Sequence, residues 1–518
     1  MKIIPKPHKI TEVSGGTFIF SAATVLPDGY SVIREKLAAI SSSFKSVEPN
    51  EITLKLSEDC DLKGEEYRLE ITPQKVEITA KNYKGLFYGT QTFIQLAFEH
   101  VIDKVSAMPC VIIEDMPRYP FRAFMLDVSR HFFCIEDIKR QIDLISALKI
   151  NRLHFHFCDD QGFRIEIKKY PKLTEKGAYR AQTRGDGKPH GGFYTQDEIK
   201  DLVAYAALRA VEIVPEFEIP GHCTAVLAAY PELSCRGEGL PVGDRFGIFM
   251  DIYCGGNAKT VEFIKDVLSE IAELFPCEYI HLGGDEAPKM HWRQCPKCRA
   301  AIEGNGLKNE EEFQAYLTNE AIKHIKQYGK TAIVWNESMN SGMLDESAVC
   351  QYWWENESKI AAAANRGRKL IVSKTAPFYL DYPYGSNSVK DIYKFNLSLP
   401  GLDGDGEKNI LGFDAPLWTE YVSEADIDFK AYPRLIAAAD RGWTDCAPDY
   451  ADFKSRLENI LSIFSGYGVK YATLVDAEPG YFRARKSLRK WKRISGGDKF
   501  AEAVYRAYIA DKRKNEKR

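Results

Sequence analysis

Two acidic residues stand side by side in HLGGDEAPKMHW, residues 281–292: Asp285 and Glu286. Neighbouring carboxylates repel, and each raises the other's proton affinity. A plain surface turn has no use for that cost. Other chemistry-bearing side chains recur just after short β-rich runs. DVSRHFF carries Asp127, Arg130 and His131, CDDQGFR carries Asp159 and Asp160, and EFEIPGH carries Glu216, Glu218 and His222. VWNE supplies Trp335 and Glu337, and QYWW supplies Tyr352, Trp353 and Trp354. FYLDY adds Tyr379 and Asp381, and LWTE adds Trp418 and Glu420. Acids, one arginine and many aromatic rings suit a ring of hydroxyls, so the set reads as a sugar pocket. His154 and His156 alternate with phenylalanines and are expected as hydrogen-bonded interior residues. Asp127, Glu216 and Glu218 suit internal hydrogen-bond networks as well as chemistry.

These residues need a common edge. Eight runs have strand character: 121–129, 152–157, 211–217, 279–284, 331–336, 348–353, 369–373 and 412–418. Amphipathic helices such as IEDIKRQIDLISALKI and TQDEIKDLVAYAALRA lie between them. Eight alternating units predict a (β/α)8 barrel, whose catalytic groups gather where strands end and βα loops begin. No Gly-rich phosphate turn follows the first run, which argues against a doubly wound sheet. Residues 1–117 read as a small α+β accessory domain, with a hairpin in EEYRLEITPQKVEITA and a helix in GLFYGTQTFIQLAFEH. Residues 118–480 are assigned to the barrel and 481–518 to a basic helical tail.

With 45% hydrophobic and 28% charged residues and a formal charge of −3, the 518-residue chain has an ordinary globular composition. Neither nucleic-acid nor membrane binding is expected. The first residues, MKIIPKPHKITEV, lack the apolar run of a secretory signal, so a cytoplasmic location is expected. The tail from Arg483 carries 14 Lys/Arg against 4 Asp/Glu, and its FAEAVYRAYIADK segment places Phe500, Val504 and Tyr508 on one helical face. A helix packed on the barrel is expected there; a polyanion-binding arm is the sharper alternative. Twelve cysteines at irregular spacing predict reduced thiols rather than a disulfide framework, and Cys134, Cys158, Cys223 and Cys350 are expected to behave as small hydrophobes. Cys295 and Cys298, in CPKC, have half of a zinc-ribbon spacing. Cys235 and Cys254 are the candidates to complete a structural zinc site, with unliganded thiols as the other reading.

In chain order, MLDVSRHFF, HFCDDQGFR, EIPGH, HLGGDE, VWNE, QYWW, YLDY and APLWTE resemble the motifs of the family 20 glycoside hydrolases, the β-N-acetylhexosaminidases. The similarity includes IIPKPHKI and GLFYGTQTFIQL and covers about residues 1–475. It implies retaining, exo-acting hydrolysis of a glycan with a terminal β-linked N-acetylhexosamine, without a catalytic cofactor. In that family the substrate's 2-acetamido group is the nucleophile, giving an oxazolinium intermediate. The resemblance makes Glu286 the general acid and base, and Asp285 the carboxylate that orients the acetamide. Tyr379 would bond the acetamide carbonyl, Trp335, Trp353 and Trp418 would wall the pocket, and Arg130 and Glu420 would take the 3- and 4-hydroxyls. Asp381 would take the 6-hydroxyl, and Asp159 with His222 would stand behind the acid/base. Phe163 stands where many relatives carry Trp, and Trp354 adds bulk after Trp353; both bear on leaving-group preference. Within the family, a relative that releases a disaccharide or takes a modified N-acetylhexosamine remains open, as do two other classes: a non-catalytic sugar-binding barrel, and a metallohydrolase built on His281 and Asp285.

Overall fold

The apolar runs form one closed sheet. A computed structural model describes residues 1–58, 61–496 and 499–515. Its barrel strands are β1 (Phe121–Asp127), β2 (Arg152–His156), β3 (Glu212–Glu216), β4 (Tyr279–His281), β5 (Thr331–Trp335), β6 (Val349–Tyr352), β7 (Leu370–Val372) and β8 (Ile410–Leu417). Each pairs in parallel with its sequence neighbours, and β8 closes on β1. Parallel strands are covered on both faces, which is why they read as near-continuous apolar runs rather than alternating ones. Phe121, Val214, Ile333, Val349 and Ile371 plug the barrel's N-terminal end. The helices Ile135–Ala147, Gln196–Ala207 and Ala258–Leu274 bury their apolar stripes against the outside. The second of these starts at a capping box, Thr195 with Glu198.

Ahead of the barrel lies a mixed sheet ordered Lys9–Phe20, Val105–Asp115, Tyr67–Ile71, Lys75–Ala80, Glu51–Leu56. The helix Tyr83–Glu99 packs on it, and together they have their own core. PCVIIED, whose flanking prolines suggest a boundary, belongs to the long strand Val105–Asp115. Asp115 at its end ties sheet to barrel, accepting from Lys149 Nζ at 2.8 Å and Trp443 Nε1 at 2.8 Å.

The basic tail forms two helices, Tyr481–Ser495 and Lys499–Asn515. The Phe500 side chain and residues 516–518 of the expected amphipathic tail lie outside the described residues. Among the described residues, no helix is long and apolar enough to cross a membrane. Their cysteines form no disulfide. Cys158, Cys223 and Cys350 are buried as expected, but Cys134 is exposed, because it precedes the helix Ile135–Ala147 and donates to Asp137 Oδ2 at 2.9 Å.

Candidate active site

β4 ends at His281, so strand alternation does not aim Asp285. A tight corner aims it instead. Gly283 and Gly284 have φ of 62° and 105°, in the left-handed region that glycine enters without a Cβ penalty. The close approach they permit is beneath the corner rather than toward a sugar. A Cβ on Gly283 would lie 1.8 Å from Glu218 Oε2, and one on Gly284 2.0 Å from Ser338 Oγ. Glu286 itself has φ 43°, and His222 φ 46°. Such backbone is costly for non-glycine residues and persists where surrounding structure enforces it. The two strained residues face each other: His222 Nε2 is 3.6 Å from Glu286 Oε2 and 3.9 Å from Asp285 Oδ2.

The other ring nitrogen of His222 meets Asp159 Oδ1 at 3.2 Å and Asp160 Oδ2 at 3.1 Å. Burial opposes a charged imidazole, but Asp159 outweighs it and the proton affinity of His222 rises well above normal. Asp159 is held far below the usual carboxylate range; burial opposes this, and the charges of Arg130 and His222 prevail. Arg130 Nη2 lies 2.6 Å from Asp159 Oδ2. Burial, opposed by His222 and reinforced by Glu286 and Glu216, raises Asp285 to about 7. The mutual push expected between the adjacent carboxylates is thus seen on Asp285. Glu218, beneath the corner, is raised well above the carboxylate range by burial and then by Asp285 and Glu216.

A cavity of about 540 Å³ opens at this edge of the barrel. Arg130, His222, Asp285, Glu286, Trp353, Tyr379, Asp381, Trp418 and Glu420 all line it. The strand ends therefore bring nine of the eleven sequence-predicted site residues onto one surface. Tyr379 stacks on Trp353 at 6.2 Å and 19°, and Trp418 stands 6.2 Å from Tyr379 and 4.9 Å from the Arg130 guanidinium. Burial raises Asp381 to about 7, with Glu420 adding to the effect. Glu420 is raised in turn, by burial against the pull of Arg130. Asp159 and Trp335 sit one layer deeper: Trp335 is fully buried, 6.1 Å from Trp418. Phe163 does not reach the cavity; it is buried between Phe157 and Phe217, so its departure from Trp leaves the cavity wall unchanged. Trp354 points largely to solvent.

The floor is a polar layer inside the barrel. Glu216 Oε1 accepts from Trp335 Nε1 at 2.8 Å and lies 2.8 Å from His281 Nδ1. Its Oε2 makes a short contact with His156 Nδ1 and lies 3.1 Å from His154 Nε2. His154 Nδ1 reaches Asp414 Oδ2 at 2.7 Å. Burial disfavours charge on His154, but Glu216 and Asp414 overcome it and raise the group to about 9. Glu216 is a hub for three histidines and one indole, which accounts for its place at a strand end without a role at the sugar. His281 is one of those three, and among the described residues no group of close potential metal ligands joins it to Asp285.

Three contributions went unseen in the sequence. Asp160 shares His222 with Asp159, and its other oxygen accepts from Thr224 N and Oγ1 at 2.9 and 2.6 Å. Glu337, placed at a strand end, accepts from Trp353 Nε1 at 2.8 Å and so fixes a wall of the cavity. The tail supplies Trp491, Ser495, Gly496, Glu502 and Tyr505 to the cavity lining, over 60 residues downstream of the last barrel strand. Side chains so far apart in the chain meet only through tertiary structure, and local patterns carry no signal of it.

A closed parallel barrel, with an acid backed by a histidine–carboxylate pair at the strand ends of an aromatic cavity, is the build of a glycoside hydrolase. Comparison with known proteins narrows it. Residues 119–446 match the catalytic domain of glycosyl hydrolase family 20, and residues 1–116 match that family's domain 2. A β-hexosaminidase of Porphyromonas gingivalis is 37% identical over 511 residues, 93% of this chain and 65% of its own length. This chain thus spans just under two thirds of that relative. A β-N-acetylhexosaminidase from Bacteroides fragilis superposes with a TM-score of 0.80 at 31% identity, covering 92% of this chain and 99% of its own. A Vibrio harveyi exo-β-N-acetylglucosaminidase in complex with N-acetylglucosamine does so with 0.81 at 28%, covering 91% and 78%. The chain belongs to glycoside hydrolase family 20.

Proposed function

We propose that the chain is an exo-acting, retaining β-N-acetylhexosaminidase that releases a terminal β-linked N-acetylglucosamine by substrate-assisted catalysis. The observation that carries this reading is the row Asp159–His222–Glu286 set beside Asp285 in an aromatic cavity. In the first step the substrate's acetamide oxygen bonds to its own anomeric carbon. The glycosidic bond breaks, and Glu286 passes its proton to the departing oxygen. Asp285 accepts a hydrogen bond from the acetamide N–H and faces the positive charge of the oxazolinium ring. In the second step Glu286, now a carboxylate, takes a proton from water as that water attacks the anomeric carbon. The ring opens, the acetamide is restored and the β configuration is kept.

The cavity's electrostatics fit these roles. Asp285 holds its proton up to about 7, and its Oδ1 is buried without a hydrogen-bond partner among the described residues. An acetamide N–H and a developing cation each favour its anion, so binding and reaction draw out the ionised form. In this reading Arg130 and Glu420, which line the cavity, bracket two ring hydroxyls, Asp381 takes a third, and the Tyr379 hydroxyl takes the acetamide carbonyl. The fork of Arg130 suits paired oxygens. A panel of aryl β-glycosides tests the reading. Turnover of the N-acetylglucosaminide with release of the β anomer is expected. Binding of N-acetylglucosamine without turnover of any glycoside would replace it with a lectin.

A further inference from the structure

Four cysteines that the reaction does not use, spread over 63 residues of sequence from Cys235 to Cys298, converge in one cluster. Cys235 and Cys254 come from the segment after β3, and Cys295 and Cys298 from the segment after β4. Their sulfurs all lie within 4.8 Å of one another. Three separations are 3.7 Å (Cys235–Cys298), 3.6 Å (Cys254–Cys298) and 3.8 Å (Cys254–Cys295). A disulfide needs about 2.0 Å between sulfurs. A tetrahedron with metal–sulfur bonds of about 2.3 Å has edges of about 3.8 Å. The observed separations match that edge. Cys254, Cys295 and Cys298 are buried, where unliganded thiols would face one another with only weak hydrogen bonds to exchange. The backbone is shaped to bring them in: a Cβ on Gly256 would lie 2.3 Å from the Lys297 carbonyl carbon, so only glycine lets the segments touch. Cys295 also precedes the first turn of the helix Pro296–Gly304, where thiolate charge is favoured.

We propose that Cys235, Cys254, Cys295 and Cys298 bind a structural zinc ion that fastens the segment carrying His222 to the segment carrying Glu286. Four thiolates leave no open position, so the ion has no part in the chemistry. Its link to the site is short. Tyr253, beside Cys254, donates its N–H to Pro220 O at 3.1 Å, two residues before His222. The Tyr253 carbonyl accepts from Trp292 Nε1 at 2.7 Å, between Glu286 and Cys295. Elemental analysis of the full chain, purified from zinc-supplemented medium, is expected to find about one zinc per chain. Replacement by cobalt(II) should give thiolate-to-cobalt charge-transfer absorption. Cys254→Ser with Cys298→Ser should abolish both, lower the melting temperature and lower kcat more than KM, whereas the exposed Cys446→Ser should change none of these. Wild-type protein that holds no stoichiometric metal and gives no such absorption overturns the proposal. Stoichiometric iron in place of zinc overturns the assignment of the ion. Because the wild-type metal content decides the matter, a double variant that fails to fold does not shield it.

A second inference rests on the proposed function. Helix Tyr481–Ser495 lies outside the residues matched by the family's catalytic domain, yet Trp491 packs on Tyr382 at 4.6 Å and the Tyr421 hydroxyl donates to Ser495 O at 3.2 Å. With Tyr505 from the last helix, Trp491 lines the same cavity as Glu286. The geometry points to Trp491 and Tyr505 as the wall that receives the sugar leaving group. In the full chain, Trp491→Ala should lower kcat/KM about tenfold for a β-linked N-acetylglucosamine disaccharide, the scale of a lost aromatic anchor. It should leave the glycosyl fluoride, whose leaving group cannot touch that wall, close to wild type; Tyr505→Ala should do the same. Equal losses on both substrates, or none on the disaccharide, overturn the wall. Wild-type protein that hydrolyses neither substrate overturns the proposed function instead.

Discussion

His222 and Glu286 face each other across 3.6 Å, both from left-handed backbone, with two carboxylates on the far ring nitrogen of the histidine. A cation held there stabilises the anion that Glu286 becomes after giving up its proton. His222→Ala should therefore slow hydrolysis most when the leaving group is a sugar alcohol and protonation is demanding. Comparing kcat for a disaccharide with that for an activated aryl glycoside checks this; equal losses would contradict the role.

Glu286→Gln removes the transferable proton and keeps the shape. A loss of about 10²–10⁴ in kcat is expected for an unactivated leaving group. The loss should be much smaller in the first step for a leaving group that departs without a proton, such as fluoride or a dinitrophenolate, with circular dichroism and melting temperature unchanged. Near-normal turnover of the disaccharide would remove Glu286 from the reaction.

Asp285 connects activity with stability. Its carboxyl is raised to about 7 in the folded chain from an ordinary value of 3.8. The folded state therefore binds the proton more tightly, and the group costs stability increasingly as pH rises from about 4 to 7. Asp285→Asn should be nearly inactive. Its melting temperature relative to wild type should increase from pH 4 to pH 8, as scanning calorimetry at both values can show.

His154 has the opposite sign. Raised to about 9 by Glu216 and Asp414 against burial, it contributes stability that is complete below its ordinary value of 6.5 and lost as pH rises through about 9. His154→Gln breaks a buried charge network and should cost about 3 kcal/mol or more at pH 6. Urea denaturation should show the gap to wild type narrowing by pH 10; a constant gap would mean that packing, not charge, is lost.

The barrel was legible because parallel strands are apolar on both faces and helices between them keep a 3.6-residue period. Leu153, Ile213 and Ile280 mark three strands in this way. The strand ends then named nine of the nineteen residues that line the cavity. What stayed hidden depends on where chain turns send a side chain. Asp285 lies four residues past the end of β4, and only the glycine corner decides its direction. Glu216 and Glu218 look alike in EFEIPGH, yet three histidines hold one well below the usual carboxylate range against burial, while burial and Asp285 push the other, under Gly283, well above it. Phe163, one residue from Arg164 in the same motif, turns into the core. The tail reads as a basic helix because its charges dominate its composition, while the few aromatic residues that reach the cavity are a minority of the segment.

The central claim is that the sugar brings its own nucleophile. Successive fluorination of the N-acetyl methyl group in one aryl glycoside series weakens that oxygen and leaves the leaving group untouched. The expected result is a steep fall in kcat/KM with each fluorine and no cleavage of the matching β-glucoside. A flat series, a glucoside hydrolysed at a comparable rate, or a sugar ester found on Asp285 or Glu286 would contradict it.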